Sequence, residues 1–187
     1  QGHITFGIGS IYDGQWEDDL QHGLGKEQWI DGSFFEGEFR RGEKEGHGKF
    51  SWANGCQYSG EFKESEMHGQ GSYKWTDDRR YSGQWTKNMM GPRGCMSWPD
   101  GRSYEGEFLD GKKHGDGILK WPDGRSYSGQ WRDGKQHGEA IACTVQGLRR
   151  KSKWSDGHWI DWIGEVLPEE EYLKASKKPD ELAAIAG

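Results

Sequence analysis

The sequence predicts an all-β fold: an elongated, single-layer antiparallel β-meander, a solenoid of repeated hairpins with a short C-terminal helical tail. Three observations predict it. Glycine and aromatic residues take the place of aliphatic ones, one pattern recurs at constant spacing, and polar and aromatic residues alternate within each recurrence.

Glycine supplies 31 of 187 residues, about 17% against an ordinary share of about 7%. The chain has 11 Trp, 7 Tyr and 7 Phe, yet its hydrophobic fraction is only 31%. So few Leu, Ile and Val cannot fill the aliphatic core of a two-layer enzyme domain. The aromatic content argues equally against disorder. No apolar run approaches the roughly 18 residues of a membrane-spanning helix, and no secretory signal is read at the start. A net charge of −6 leaves nucleic acid an unexpected partner. Cys56, Cys95 and Cys143 follow no metal-ligand spacing and read as thiols of a reducing, intracellular compartment.

The pattern aromatic-x-Gly-x-aromatic organises the chain. It occurs at Tyr12-Gly14-Trp16, Phe35-Gly37-Phe39, Tyr58-Gly60-Phe62, Tyr81-Gly83-Trp85, Tyr104-Gly106-Phe108 and Tyr127-Gly129-Trp131, a constant step of 23. A Gly-x-Gly follows at Gly23/Gly25, Gly46/Gly48, Gly69/Gly71 and Gly115/Gly117, then a Trp in fixed register at 29, 52, 75, 98 and 121. Asp-Gly or Asn-Gly closes most units. Gly2, Phe6 and Gly9 continue the register backward, so the chain is expected to start inside a repeat as a processed or truncated product, which leaves open whether more repeats or another domain stand upstream. Ser152, Trp154 and Asp156-Gly157 continue it forward. The organisation read from this is a partial repeat over 1–11, six repeats over 12–147, a degenerate seventh over 148–164 and a tail over 165–187.

Each unit reads as a hairpin. In Tyr104-Glu105-Gly106-Glu107-Phe108 the aromatics and Gly share one strand face and the glutamates the other. Gly115, Gly117, Leu119 and Trp121 are expected on one face of the second strand, with Asp110-Gly111 and Lys112-Lys113-His114 as the turn between. Asp123-Gly124 reverses the chain into the next unit. Glycine normally weakens a strand. Here three per unit are expected on the aromatic face, where rings lie across bare backbone and cover the sheet themselves. Two strands per unit at about 4.8 Å spacing give a twisted ribbon roughly 60 Å long for six units.

The stretch from Tyr104 to Gly117, ending in Trp121-Pro122-Asp123-Gly124, closely resembles the MORN repeat (membrane occupation and recognition nexus). The resemblance covers residues 12–147 and implies an elongated single-layer sheet serving as an interaction module. Similar arrays occur in axonemal radial-spoke proteins, junctional membrane tethers, phosphoinositide kinases, apicomplexan cytoskeletal scaffolds and a histone lysine methyltransferase, so the repeat names a fold more firmly than a job. The fourth unit departs from the pattern: Gly91-Pro92-Arg93-Gly94 replaces His-Gly-x-Gly, and Asp77-Asp78 replaces the closing Asp-Gly. Glu64-Ser65 and Lys87-Asn88 stand in for the first Asp-Gly of units three and four. Pro92 lacks an N–H and is expected to interrupt the ladder, bending the ribbon rather than forming a contact loop.

Catalysis finds no support. No Gly-x-Gly extends to a nucleotide-binding fingerprint, and no nucleophile elbow or paired acid–base constellation stands out. His22, His47, His68, His114 and His137 recur near the expected hairpin tips, but units about 10 Å apart cannot share one ion at a Zn–N distance of about 2 Å. They are read as backbone-bonding turn residues, and no cofactor or metal is expected.

Two surfaces remain. Basic side chains cluster most strongly at Arg149, Arg150, Lys151 and Lys153, beside Trp154 and Trp159, and would suit acidic phospholipid. Against a lipid role stand the negative net charge and Glu36, Glu38, Glu61, Glu105 and Glu107 on the polar face. The stronger candidate is the aromatic stripe: Tyr58, Phe62, Tyr73, Trp75, Tyr81, Trp85, Trp98, Tyr104, Phe108 and Trp121. Most of it holds the sheet together; the exposed remainder suits a partner helix or extended peptide. The tail opens on Pro168-Glu169-Glu170-Glu171, a good helix start, and Pro179-Asp180-Glu181 opens a second run. Its expected role is to cap the last strand, anchored by Trp159, Ile160, Trp162 and Ile163, ahead of docking on another subunit.

The sequence therefore points to a non-catalytic scaffold holding partner proteins within a larger cytoplasmic or cytoskeletal assembly, ciliary by analogy. A lipid-binding adaptor in peripheral membrane contact and a regulatory fragment of a larger enzyme are the alternatives. Self-association stays open.

Overall fold

A computed structural model describes residues 2–5 and 9–167. Phe6 of the leading repeat and the tail from Pro168 onward lie outside the described residues. Fifteen strands and no helix occur among them, so no helix there is long and apolar enough to cross a membrane. After β1 (Gly2–Thr5), seven short strands begin at steps of 23: β2 (Ile11–Glu17), β4 (Phe34–Arg40), β6 (Gln57–Lys63), β8 (Arg80–Thr86), β10 (Ser103–Leu109), β12 (Ser126–Arg132) and β14 (Arg149–Ser155). Between them run the longer strands β3 (Leu20–Gln28), β5 (Glu43–Ser51), β7 (Glu66–Lys74), β9 (Met89–Ser97), β11 (Lys112–Lys120), β13 (Lys135–Cys143) and β15 (His158–Leu167). The seventh repeat thus keeps the register its sequence has largely lost, and β15 runs three residues past Gly164. The chain forms two compact units, 1–112 and 113–187. Within each, every strand pairs antiparallel with its neighbours in sequence.

The hairpin turns are tighter than expected. Both central residues have positive φ at Asp18-Asp19, Arg41-Gly42, Glu64-Ser65, Lys87-Asn88, Asp110-Gly111, Asp133-Gly134 and Asp156-Gly157, the requirement of a two-residue type I′ turn. Lys112, Lys113 and His114 therefore belong to β11, and all five histidines lie in the longer strands rather than at turns. The substitutions at Glu64-Ser65 and Lys87-Asn88 leave the turn unchanged. At the other connection Asp78 takes the positive φ that Gly32 and Gly55 adopt elsewhere. Asp77 keeps its partner too: its Oδ1 accepts the Arg79 N–H at 3.2 Å, as Asp100 accepts from Arg102 at 3.0 Å and Asp123 from Arg125 at 3.1 Å.

Glycine serves two purposes on two faces, which corrects the expectation of three per unit under the rings. One glycine from each strand stands opposite its counterpart, so that Gly2, Gly14, Gly25, Gly37, Gly48, Gly60, Gly71, Gly83, Gly94 and Gly106 form a continuous row across the first unit. The ring of Tyr12 lies over Gly14 and Gly25, Phe35 over Gly37 and Gly48, Tyr58 over Gly60 and Gly71, and Tyr81 over Gly83 and Gly94. The remaining glycine of each unit (Gly23, Gly46, Gly69, Gly138) has φ between 55° and 67°. It sits where the hairpin register shifts, for instance between Gly14↔Gly25 and Gln15↔His22. This bulge turns it to the polar face. There Gln15 Oε1 accepts the Leu24 N–H at 3.1 Å, Glu38 Oε1 that of His47 at 2.9 Å, and Glu61 Oε1 that of Gln70 at 2.8 Å.

Pro92 falls in the same bulge, so β9 runs unbroken through it. Its pairing with β10 nevertheless stops at Glu107↔Arg93, one step short of the Gly23↔Phe39 and Gly46↔Phe62 pairs of other units. The missing N–H shortens the ladder without ending the strand.

The core is one ring thick. Tyr12, Phe35, Tyr58, Tyr81, Tyr104 and Tyr127 are essentially inaccessible, and Phe39, Phe62, Trp85, Phe108 and Trp131 nearly so. In the first unit they join edge to face in a zigzag. Tyr58 meets Phe62 at 5.1 Å and Trp85 at 5.4 Å; Tyr81 meets Trp85 and Phe108, both at 5.2 Å. Each such pair contributes about 0.5–1.5 kcal/mol beyond its buried area. The polar atoms are satisfied inside the zigzag. Tyr58, Tyr81 and Tyr104 donate to the carbonyls of Glu61, Gln84 and Glu107, each at 2.9 Å, and Trp85 Nε1 to that of Gly71 at 3.1 Å.

Burial raises the phenols of Tyr12, Tyr58 and Tyr81 above their ordinary value, and that of Tyr127 to about 12. Unfolded tyrosine releases its proton at pH about 10, while the folded protein retains it. Stability is therefore whole below pH about 10 and falls as pH rises toward about 12. Urea midpoints measured across this window should drop steadily, with phenolate absorbance appearing only as the sheet melts. Full phenolate absorbance with the native circular dichroism intact would contradict this.

Candidate partner-binding surface

The aromatic face carries a second, outer row that the zigzag leaves half-buried. Its members come from the end of each long strand and the loop after it. The backbone clamps the loop Trp on both sides: Trp75 N donates to Arg79 O at 3.0 Å and Trp75 O accepts from Asp78 N at 3.1 Å, with equivalent bonds at Trp29, Trp52, Trp98 and Trp121. Each Trp begins the loop rather than extending the strand, which places it beside the inner row. In the first unit Trp29 stacks on Phe50 at 5.3 Å, Phe50 meets Trp52 at 4.5 Å, Trp52 meets Tyr73 at 5.2 Å and Tyr73 meets Trp75 at 4.6 Å.

Charged side chains hold these rings in place. Arg79 lies over Trp75 at 5.2 Å while its Nε donates to Asp77 Oδ2 at 2.7 Å; Arg102, Trp98 and Asp100 repeat the arrangement, as do Arg125, Trp121 and Asp123. Lys44 Nζ, largely buried, lies 4.9 Å from the Trp29 ring and 3.5 Å from Glu27 Oε2. A Trp pinned between loop backbone and guanidinium offers its remaining surface with little freedom left to lose on binding.

The ten residues singled out from sequence divide accordingly. Tyr58, Phe62, Tyr81, Trp85, Tyr104 and Phe108 lie in the inner row, at most 5% exposed, and pack the sheet. Tyr73, Trp75, Trp98 and Trp121 are half-buried and face outward. Trp29, Phe50 and Trp52 belong with them and were not singled out. The signal for the two tryptophans was present, since they share the register of Trp75.

In the second unit the outer row is interrupted. Ala142 and Thr144 stand at the positions of Tyr73 and Trp75, and the missing rings leave a mainly apolar pocket of about 610 Å³. Trp121, Tyr127, Trp154, Trp159 and Trp162 line it, with Arg125 and Cys143 among its other residues. The basic run beside it does not form one patch. Ser152, between Lys151 and Lys153, is fully buried on the ring side, so alternation turns both lysines to the polar face, where Lys153 stands opposite Glu139. Arg150 turns inward, its Nε donating to Gly164 O at 2.9 Å and its guanidinium lying 5.6 Å from the Trp162 ring. Arg149 is half-buried. Among the described residues no three His, Cys, Asp or Glu gather in a group able to hold a metal.

Repeated antiparallel hairpins, a glycine row under stacked rings and a clamped outer Trp define a β-repeat protein built of stacked hairpins. The sequence model of the MORN repeat matches residues 12–34, 35–57, 58–78, 81–101, 104–124 and 127–141, and the chain belongs to that family. No curated protein sequence matches it significantly. Among solved structures it is similar to the TCP domain of Drosophila melanogaster SAS-4 (dCPAP), solved in complex with a proline rich motif of Ana2 (dSTIL). That match has 13% identity over 82% of this chain and 89% of that one, with a TM-score of 0.51. The TCP10 domain of Danio rerio CPAP, in complex with a STIL peptide, matches at 11% identity over 87% and 78%, with a TM-score of 0.32.

Proposed function

We propose that this protein is a non-catalytic scaffold that binds a helix or extended peptide of a partner protein along its outer aromatic row. The observation that carries the reading is the row from Trp29 to Trp75, five half-buried rings in mutual contact on a face where the inner rings are already packed. Apolar surface beyond what the sheet needs, presented on rigid tryptophans, is the composition of a protein-binding hot spot. MORN repeats serve as interaction modules in other proteins, and the Drosophila domain sharing this fold was solved with a peptide bound, which supports a peptide or helix as ligand. A cytoskeletal or centriolar assembly in the cytoplasm is the setting we propose by the same analogy.

The test is affinity capture with photo-crosslinking from native extract, comparing the wild type with Trp52→Ala/Trp75→Ala. Both side chains lie outside the inner zigzag, so the variant should keep the native circular dichroism. A partner cross-linked to the first unit should be lost by about thirtyfold, the effect of removing one strong anchor of about 2 kcal/mol. Equal capture by wild type and variant would remove this row as the binding surface.

A further inference from the structure

The pocket of the second unit is a vacancy in a repeated pattern, and one chain segment is tethered at its rim. We propose that it is a docking site for a short acidic peptide bearing an aromatic–aliphatic pair, and that its occupant is this chain's own segment 168–173, Pro-Glu-Glu-Glu-Tyr-Leu. This does not rest on the partner reading, which concerns the first unit.

Three observations converge. The first is reach. Cys143 pairs with Arg149 and Arg149 with Leu167, so the last described residue lies two strand spacings, about 10 Å, from a residue lining the pocket. Five more residues span up to about 17 Å, which brings Tyr172 within range of every wall. The second is charge. The segment carries Glu169, Glu170 and Glu171, while Arg125 lines the pocket and Arg150 lies over Trp162 in its wall. Opposite charge placed there guides the segment toward the opening rather than away. The third is shape. Ala142 and Thr144 lack the rings that preceding repeats place at these positions, and Tyr172 and Leu173 supply a ring and an aliphatic chain of the kind missing between Trp121, Trp154 and Trp162.

A Thr144→Cys substitution in a Cys143→Ser background puts a thiol at the outer-row position that lines the pocket, with exposed Cys95 as internal reference. Alkylation at position 144 should be slow in this full-length chain. It should accelerate at least about tenfold, or about 1.4 kcal/mol of docking, when either Tyr172→Ala/Leu173→Ala or Glu169→Lys/Glu170→Lys/Glu171→Lys is added, with Cys95 unchanged. Adding Tyr172→Cys instead should give an intramolecular disulfide with position 144 under mild oxidation, and Ala142→Trp, which fills the vacancy, should suppress it. Equal rates at position 144 in all chains would overturn the proposal. So would cross-links that are intermolecular and grow with concentration, which would make a second copy the occupant.

Discussion

Gly37→Ala is expected to destabilise the protein by about 3 kcal/mol, the upper range for inserting one carbon into a packed site. A Cβ at this position would lie 2.5 Å from the Cα of Gly48, 2.6 Å from the carbonyl oxygen of His47 and 2.7 Å from Cζ of Phe35. Two of these atoms are backbone of the neighbouring strand and cannot swing aside. The third is the tip of an inaccessible ring whose edge meets Phe39 and Phe62. The strands must therefore part or the ring must leave the zigzag. Gly32→Asn is the control. Gly32, unlike Gly37, has positive φ, but no atom lies within 4 Å of its added Cβ, and Asn tolerates that conformation, so about 1 kcal/mol or less is expected. Urea unfolding should separate the two variants clearly. Because each hairpin packs mainly on its neighbours, hydrogen exchange in Gly37→Ala should accelerate most in β3–β5 and less in β8. Comparable midpoints for both variants would show that the sheet does not depend on ring-over-glycine packing.

Trp85→Ala should cost about 4 kcal/mol, whereas Trp85→Phe should cost only about 1 kcal/mol. Trp85 is 3% exposed, its ring meets Tyr58 at 84° and Tyr81 at 90°, and its Nε1 donates to Gly71 O at 3.1 Å. Alanine removes both edge contacts and opens a cavity in a core only one ring thick, where no second layer can relax into it. Phenylalanine keeps the ring contacts and loses the hydrogen bond, as Phe39, Phe62 and Phe108 already do in other repeats. The order of the two midpoints is the measurement. A phenylalanine variant as unstable as the alanine one would mean that the hydrogen bond, rather than ring packing, holds this position.

Much of this fold follows from a spacing. The aromatic-x-Gly-x-aromatic step of 23 places every short strand, and the step survives in strand starts even where Arg149 to Ser155 keeps little of the motif. The failures are equally local. Gly23 and Gly25 are two residues apart and look alike in sequence. The register shift between Gly14 and Gln15 separates them, leaving one under Tyr12 and turning the other to the polar face. The histidines read as turn residues only for a turn longer than the two residues that positive φ at both positions allows.

The aromatic stripe shows the same division. Alternation along the chain placed the rings on one side of the sheet, since side chains in a strand reverse direction at every residue. Which rings remain available to a partner depended on neighbouring strands. Tyr81 is sealed by Trp85 and Phe108, while Trp75 is lifted to the margin by its loop and held under Arg79. The pocket of the second unit makes the point most sharply. Ala142 and Thr144 are visible in the sequence as two missing rings, but its walls include Trp154, Trp159 and Trp162 from the following hairpin. Local spacing was enough for strands, turns and faces, because it acts through bonds along the chain. Burial and cavities required the folded sheet, because they depend on what the next strand brings alongside.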